Sequence, residues 1–187
     1  MSKIYLTRHG ETDWNAKRML QGHTDTSLNE TGRAQAEALA KEAVKLGIKH
    51  IFSSDLLRAK ETAEIVGESL GLDIVFDKRL RELGFGDFEG RDYYTISEQE
   101  WAGFNENPES FNAETKQQLY DRVKNFLGEI CGKNLGNVLV VSHGGALKMF
   151  LFCEKYAEFD KDEFQKDFFV RLQNAKIIEF KGLANQT

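Results

Sequence analysis

Apolar positions along this chain follow two rhythms that alternate from one end to the other. Short, near-continuous apolar or β-branched runs read as strands: about Lys3 to Thr7, His50-Ile51-Phe52-Ser53, Asp73 to Phe76, and Asn137-Val138-Leu139-Val140-Val141. Arg171-Leu172 and Lys176 to Phe180 read as closing strands. Between the runs lie helical stripes. Ala36, Leu39, Ala40 and Ala43 share a face, with Asn29 as N-cap and Gly47 as the stop. Leu56, Ala59, Ala63, Val66 and Leu70 share another, with Ser54 or Asp55 as the expected cap and Gly71 as the stop. From Glu114 onward Leu119, Val123, Phe126 and Ile130 are in register, and Ala146 to Cys153 reads as a buried helix. Such alternation predicts an α/β fold, a mostly parallel sheet with helices on both faces.

Two stretches break the rhythm. The polar segment from the first strand to Leu28 is too long for a simple connector and is expected to carry function. Residues 77 to about 112 hold Phe85, Phe88, Tyr93, Tyr94, Trp101, Phe104 and the one proline, Pro108, among charges. This reads as a lid-like insertion with one or two short helices in a single domain spanning residues 1–187.

A net charge of −5 argues against a general nucleic-acid binder. The two cysteines, Cys131 and Cys153, form no C-x-x-C pair and read as reduced thiols. No run is long enough to span a membrane, and Met1-Ser2-Lys3 enters a strand without a leader-like layout, so a cytoplasmic location is expected.

Chemistry concentrates at strand ends. Tyr5-Leu6-Thr7-Arg8-His9-Gly10 delivers an arginine and a histidine together, and the run ending at Val141 delivers Ser142-His143-Gly144-Gly145. Parallel strands would bring both histidines to the carboxyl-edge crevice where open α/β sheets bind ligands. Arg58 falls in the first turn of the helix after the second strand. Guanidinium groups fork onto phosphate oxygens, neutral imidazole can attack phosphorus, and positive neighbours disfavour protonation of His9. The helix opening at Gly144-Gly145 is expected to aim free backbone N–H groups at the same anion. His23 and His50 read as surface or packing residues, and the four histidines lack the spacing of a zinc site.

These residues recur in an order that resembles the histidine phosphatase superfamily, in the branch of cofactor-dependent phosphoglycerate mutases and their phosphatase relatives. The resemblance rests on Thr7-Arg8-His9-Gly10-Glu11-Thr12, then Gln21-Gly22 with Asp25 and Leu28. It continues through Ser53-Ser54-Asp55-Leu56-Leu57-Arg58-Ala59, Leu80-Arg81-Glu82-Leu83 with Gly86-Asp87-Phe88-Glu89-Gly90, and Ser142-His143-Gly144-Gly145. It implies a phosphoglycerate mutase-like three-layer α/β/α sandwich with one antiparallel edge strand and no metal or cofactor. It also implies His9 as the phosphorylated nucleophile and Glu82 as proton donor, with Arg8, Arg58 and His143 lining the phosphate pocket. Asn15, Gln21, Gly22 and Gly144 are the further expected substrate contacts. From chemistry alone Glu82 is not separable from nearby Glu89; the motif selects it. The chain departs from the pattern at Asn112-Ala113-Glu114-Thr115, where glycine-glutamate-serine is usual, and at Phe88 and Lys148, where tryptophan and arginine are common.

Water or a second substrate can take the phosphoryl group from a phosphohistidine. Lys116 is the one basic residue between Asp92 and Gln118, among Glu98, Glu100, Glu106, Glu109 and Glu114, which favours hydrolysis over a mutase reaction. The expected partner is a small phosphorylated metabolite, neither nucleic acid nor membrane; a homodimer stays open, as does the substrate, from sugar phosphates to α-ribazole phosphate.

Overall fold

The computed structural model describes residues 3–167 and 172–183. Five strands form one sheet in the order β3-β2-β4-β1-β5: β1 (Ile4–Arg8), β2 (Ile48–Ser53), β3 (Ile74–Phe76), β4 (Asn137–Ser142) and β5 (Ile177–Phe180). Strands β1, β2, β3 and β4 run parallel, while β5 pairs antiparallel with β1 and forms an edge.

Side chains alternate across the sheet, as a period of two requires. Leu6, Val138 and Val140 face a core shared with α5 (Lys116–Ile130), α6 (Gly144–Lys155) and α7 (Lys161–Asp167). Tyr5, Ile51, Leu139 and Val141 face the opposite core, made with α2 (Glu30–Lys45) and α3 (Leu57–Leu70). The sheet is thus covered on both faces.

Two elements differ from expectation. Neither Ser54 nor Asp55 caps α3 as a helix N-cap side chain, since the N-cap position falls on Leu56. The first amide of the helix, at Leu57, instead donates to Asp25 Oδ1 at 2.8 Å, a carboxylate arriving from the polar segment. Asp55 is engaged elsewhere, in a two-pronged pair with Arg81 at 2.6 Å that ties β2 to the segment carrying Glu82. Of the expected Arg171-Leu172 strand, Arg171 lies outside the described residues and Leu172 lies outside any strand.

Residues 78–111 hold four single-turn 3-10 segments and one helix, α4 (Glu98–Glu106). Their own small core of Phe88, Ile96, Phe104 and Ala113 takes in Leu20, Phe85, Trp101 and Phe111. The remaining helix, α1 (Asp13–Ala16), is a single turn closed by a reciprocal Thr12–Asn15 capping box.

Candidate active site

Register alone brings the two histidines together. Arg8 is paired with Ser142 across β1 and β4, and the His9 amide extends the ladder to Ser142 O at 3.0 Å. His9 and His143 therefore leave neighbouring strands side by side, with ring centroids 5.1 Å apart. Gly10 follows because a Cβ there would lie 2.4 Å from the Gly32 carbonyl oxygen at the start of α2.

Each ring has its tautomer fixed by one neighbour. His9 Nδ1 lies 2.6 Å from the Gly10 carbonyl, which can only accept, so Nδ1 carries the proton and Nε2 keeps its lone pair. His143 Nδ1 lies 3.2 Å from Arg58 Nε, which can only donate, so the His143 proton sits on Nε2. That Nε2 is buried without a hydrogen-bond partner among the described residues. An unsatisfied buried donor is costly, and an anion oxygen would satisfy it.

Both imidazoles are held neutral. Burial first, then the charges of Arg58 and Arg8, keeps His9 well below its usual 6.5; burial and Arg58 do the same to His143. Desolvation is thus a larger cause than the positive neighbours expected from the sequence.

Arg58 is fully buried on the first turn of α3. Its Nη1 donates to Thr24 O at 2.9 Å and its Nη2 to Gly22 O at 2.7 Å, which fixes the guanidinium plane. Burial pushes its pKa down to about 10, with Glu82 and Asp25 supporting the charge. Arg8 Nη1 donates to Leu172 O at 3.2 Å. Arg8, His9, Asn15, Gln21, Gly22, Arg58, Glu82 and Gly144 all line one cavity of about 380 Å³, whereas His143, expected to line it too, is fully buried and does not border it.

Glu82 corrects one expectation. Its Oε1 accepts from the amides of Leu83 at 2.9 Å, Gly145 at 2.8 Å and Ala146 at 3.1 Å. The N–H groups of Gly145 and Ala146 at the start of α6 are thus taken by this carboxylate and are not free for a phosphate. The reason is proximity: Gly145 lacks a Cβ that would sit 2.5 Å from Glu82 Oε1. Glu89, the rival acid, is removed by its partners. Its two oxygens accept from His23 N, Phe85 N, Thr24 N and Thr24 Oγ1 at 2.6 to 3.1 Å, and it does not line the cavity.

Asn174 had no signal in the sequence. Asn174 Nδ2 donates to the His9 carbonyl at 2.8 Å and approaches Asn15 Oδ1 at 3.4 Å, bracing both residues from beside β5. Lys148, Asn105, Lys116 and Gln165 also line the cavity, together with Met19, Leu20, Phe85, Tyr93, Trp101 and Phe104. His23 Nε2 bonds the Glu82 carbonyl at 2.8 Å and His50 bonds the Leu135 carbonyl, both away from any ligand role. Among the described residues, no three histidine, cysteine or acidic side chains cluster as a metal site.

Comparisons with known proteins identify the family and the fold. The profile of the histidine phosphatase superfamily (branch 1) matches residues 4–182. Over 157 residues the chain is 44% identical to the probable phosphoglycerate mutase GpmB of Escherichia coli O1:K1, covering 79% of this chain and 72% of that protein. A mycobacterial glucosyl-3-phosphoglycerate phosphatase in complex with VO3 superposes with a TM-score of 0.81 at 27% identity, over 96% of this chain and 90% of that one. Phosphoserine phosphatase of Entamoeba histolytica, with phosphoserine bound, gives 0.79 at 25% identity over 96% and 90%.

Proposed function

The chain belongs to the histidine phosphatase superfamily and is an enzyme of that group, phosphatase or mutase; on that premise we propose that it hydrolyses small phosphomonoesters through a phosphohistidine on His9. Nε2 of His9 attacks phosphorus in line with the ester oxygen. The P–O bond breaks, and the leaving oxygen takes a proton from Glu82. With Oε1 held by three amides, Oε2 is the Glu82 atom left to carry that proton. Arg8, Arg58 and the His143 Nε2–H neutralise the equatorial oxygens, and Asn15 offers its amide nitrogen. In the second step Glu82 takes a proton from water as that water attacks the phosphohistidine, which restores both groups.

One observation carries hydrolysis over transfer to a second substrate: the make-up of the apolar part of the cavity lining. It is built from Met19, Leu20, Phe85, Tyr93, Trp101 and Phe104, and residues 93–117 contribute only Lys116 as a cation. Lys116 Nζ lies 3.0 Å from Asn105 Oδ1 and 2.5 Å from Gln165 Oε1, and burial pushes its pKa down to about 8. A mutase retains a bisphosphorylated intermediate, whose second phosphate needs several cations. This lining suits a leaving group with an apolar or ring-like surface; two phosphatases of similar fold are named for glucosyl-3-phosphoglycerate and for phosphoserine. Lys148 beside Arg8 is the feature that favours the mutase alternative.

The test supplies 3-phosphoglycerate with a trace of 2,3-bisphosphoglycerate, alongside a phosphomonoester panel. Inorganic phosphate should form faster than 2-phosphoglycerate, and a ring-bearing ester should be the better substrate. Isomerisation outrunning phosphate release would replace hydrolysis with the mutase reading.

A further inference from the structure

Glu114 belongs to one of the segments that depart from the family pattern, and it does not border the cavity. It reaches toward α5, where Arg122 is largely buried, the two side chains being only 14% and 17% exposed. A guanidinium has five N–H donors. All five of Arg122 are used. Nε and Nη2 fork onto Glu114 at 2.6 and 2.9 Å, Nη1 donates to the carbonyls of Arg79 and Arg81 at 2.7 Å each, and Nη2 donates to the Glu82 carbonyl at 2.8 Å.

Those carbonyls sit where the chain leaves its 3-10 turn at Lys78–Leu80, and among the described residues no backbone amide bonds them. The segment carrying the proposed acid thus takes its shape from side chains on other elements: Arg122 on three of its carbonyls, His23 on the Glu82 carbonyl at 2.8 Å, and Asp55 on the Arg81 side chain. Glu114 tightens the same segment, since its Oε2 accepts from the Gly84 amide at 3.1 Å and its own amide donates to Gly84 O at 2.9 Å. At the other end, the Glu82 carboxylate is docked on the amides of α6.

We infer that Arg122, anchored by Glu114, is a positioning residue that sets the backbone of Glu82 so that Oε2 meets the leaving oxygen; this rests on the phosphatase reading above. Lysine cannot replace it, having three donors and no planar fork. Arg122 does not border the cavity, so its loss should act on proton donation and not on phosphate binding.

The experiment measures kcat/KM for an alkyl phosphate and for nitrophenyl phosphate, with inorganic phosphate inhibition constants. The variants are Arg122→Lys, Glu114→Gln, Glu82→Gln and the double variant Glu82→Gln/Arg122→Lys. Displacing a reacting group by about 1 Å costs on the order of 100-fold, so Arg122→Lys should lose roughly that on the alkyl ester. It should lose far less on the activated aryl ester and keep its phosphate inhibition. Glu114→Gln should act in the same direction more weakly, and serves alone if Arg122→Lys does not fold. Adding Arg122→Lys to Glu82→Gln should cost little further, because both remove one function. Equal losses on both esters, weakened phosphate inhibition, or additive losses in the double variant would overturn the inference. If Glu82→Gln alone shows no leaving-group bias, the acid assignment fails first and the positioning role falls with it.

Discussion

The two histidines are near neighbours with opposite tautomers, and that difference divides their work. His9 keeps a lone pair on Nε2 because Gly10 O holds its proton, whereas His143 keeps an N–H there because Arg58 holds its lone pair. Arg58→Ala should therefore weaken phosphate inhibition and slow alkyl and aryl esters alike, since it removes a donor to shared oxygens and loosens His143. Glu82→Gln should slow alkyl esters far more than aryl ones, and inhibition constants beside both kcat/KM values separate the two roles. Because burial and both arginines keep His9 neutral well below 6.5, the acid limb of kcat/KM should lie below that value. A limb centred at an ordinary histidine pKa would contradict the buried, neutral nucleophile. Arg8, His9 and His143 were legible in the chain because strand residues deliver them directly. Asn174 was not, since only the fold brings it to the His9 carbonyl.

At the scale of elements, the strands and helix stripes were legible wherever the period of apolar residues was clean, as in β4 and α5. Caps made across the fold were not. The amide of Leu57 finds Asp25, distant in sequence, and the start of α6 finds Glu82. Two glycine substitutions separate packing from chemistry. In Gly10→Ala the new Cβ meets backbone, Gly32 O at 2.4 Å, which cannot yield cheaply, so stability should fall by about 1–3 kcal/mol. In Gly145→Ala it meets Glu82 Oε1 at 2.5 Å, the far end of a side chain that can swing away. Thermal unfolding should hardly change there, while kcat/KM on an alkyl phosphate should fall on the order of 100-fold. A large loss of stability with intact turnover in Gly145→Ala would show that the carboxylate does not work from the helix start.

For the whole molecule, both faces of the sheet are closed by core and the carboxyl edge is left to hold charge. Sheet order was not legible from periodicity, because alternation of strands and helices fixes layers but not which strands are neighbours. The cost of the site appears in acid. His9 and His143 are neutral and buried when folded, but titrate near 6.5 when unfolded. Below that value the unfolded chain binds protons that the folded chain refuses. Stability therefore falls with pH, by up to about 1.4 kcal/mol per unit for each histidine, and gains nothing from them above it. Urea unfolding at pH 7.5, 6.0 and 5.0 should show this slope, reduced in His9→Gln/His143→Gln; equal slopes would assign the loss elsewhere. The most direct measurement is the chemical state of the enzyme during turnover. Rapid quenching into base, followed by peptide mass spectrometry and phosphorus NMR, should find one base-stable, acid-labile phosphoryl group on Nε2 of His9, absent in His9→Ala. A phosphoryl group on Nδ1, on His143 or on a carboxylate, or turnover surviving in His9→Ala, would contradict His9 as the nucleophile.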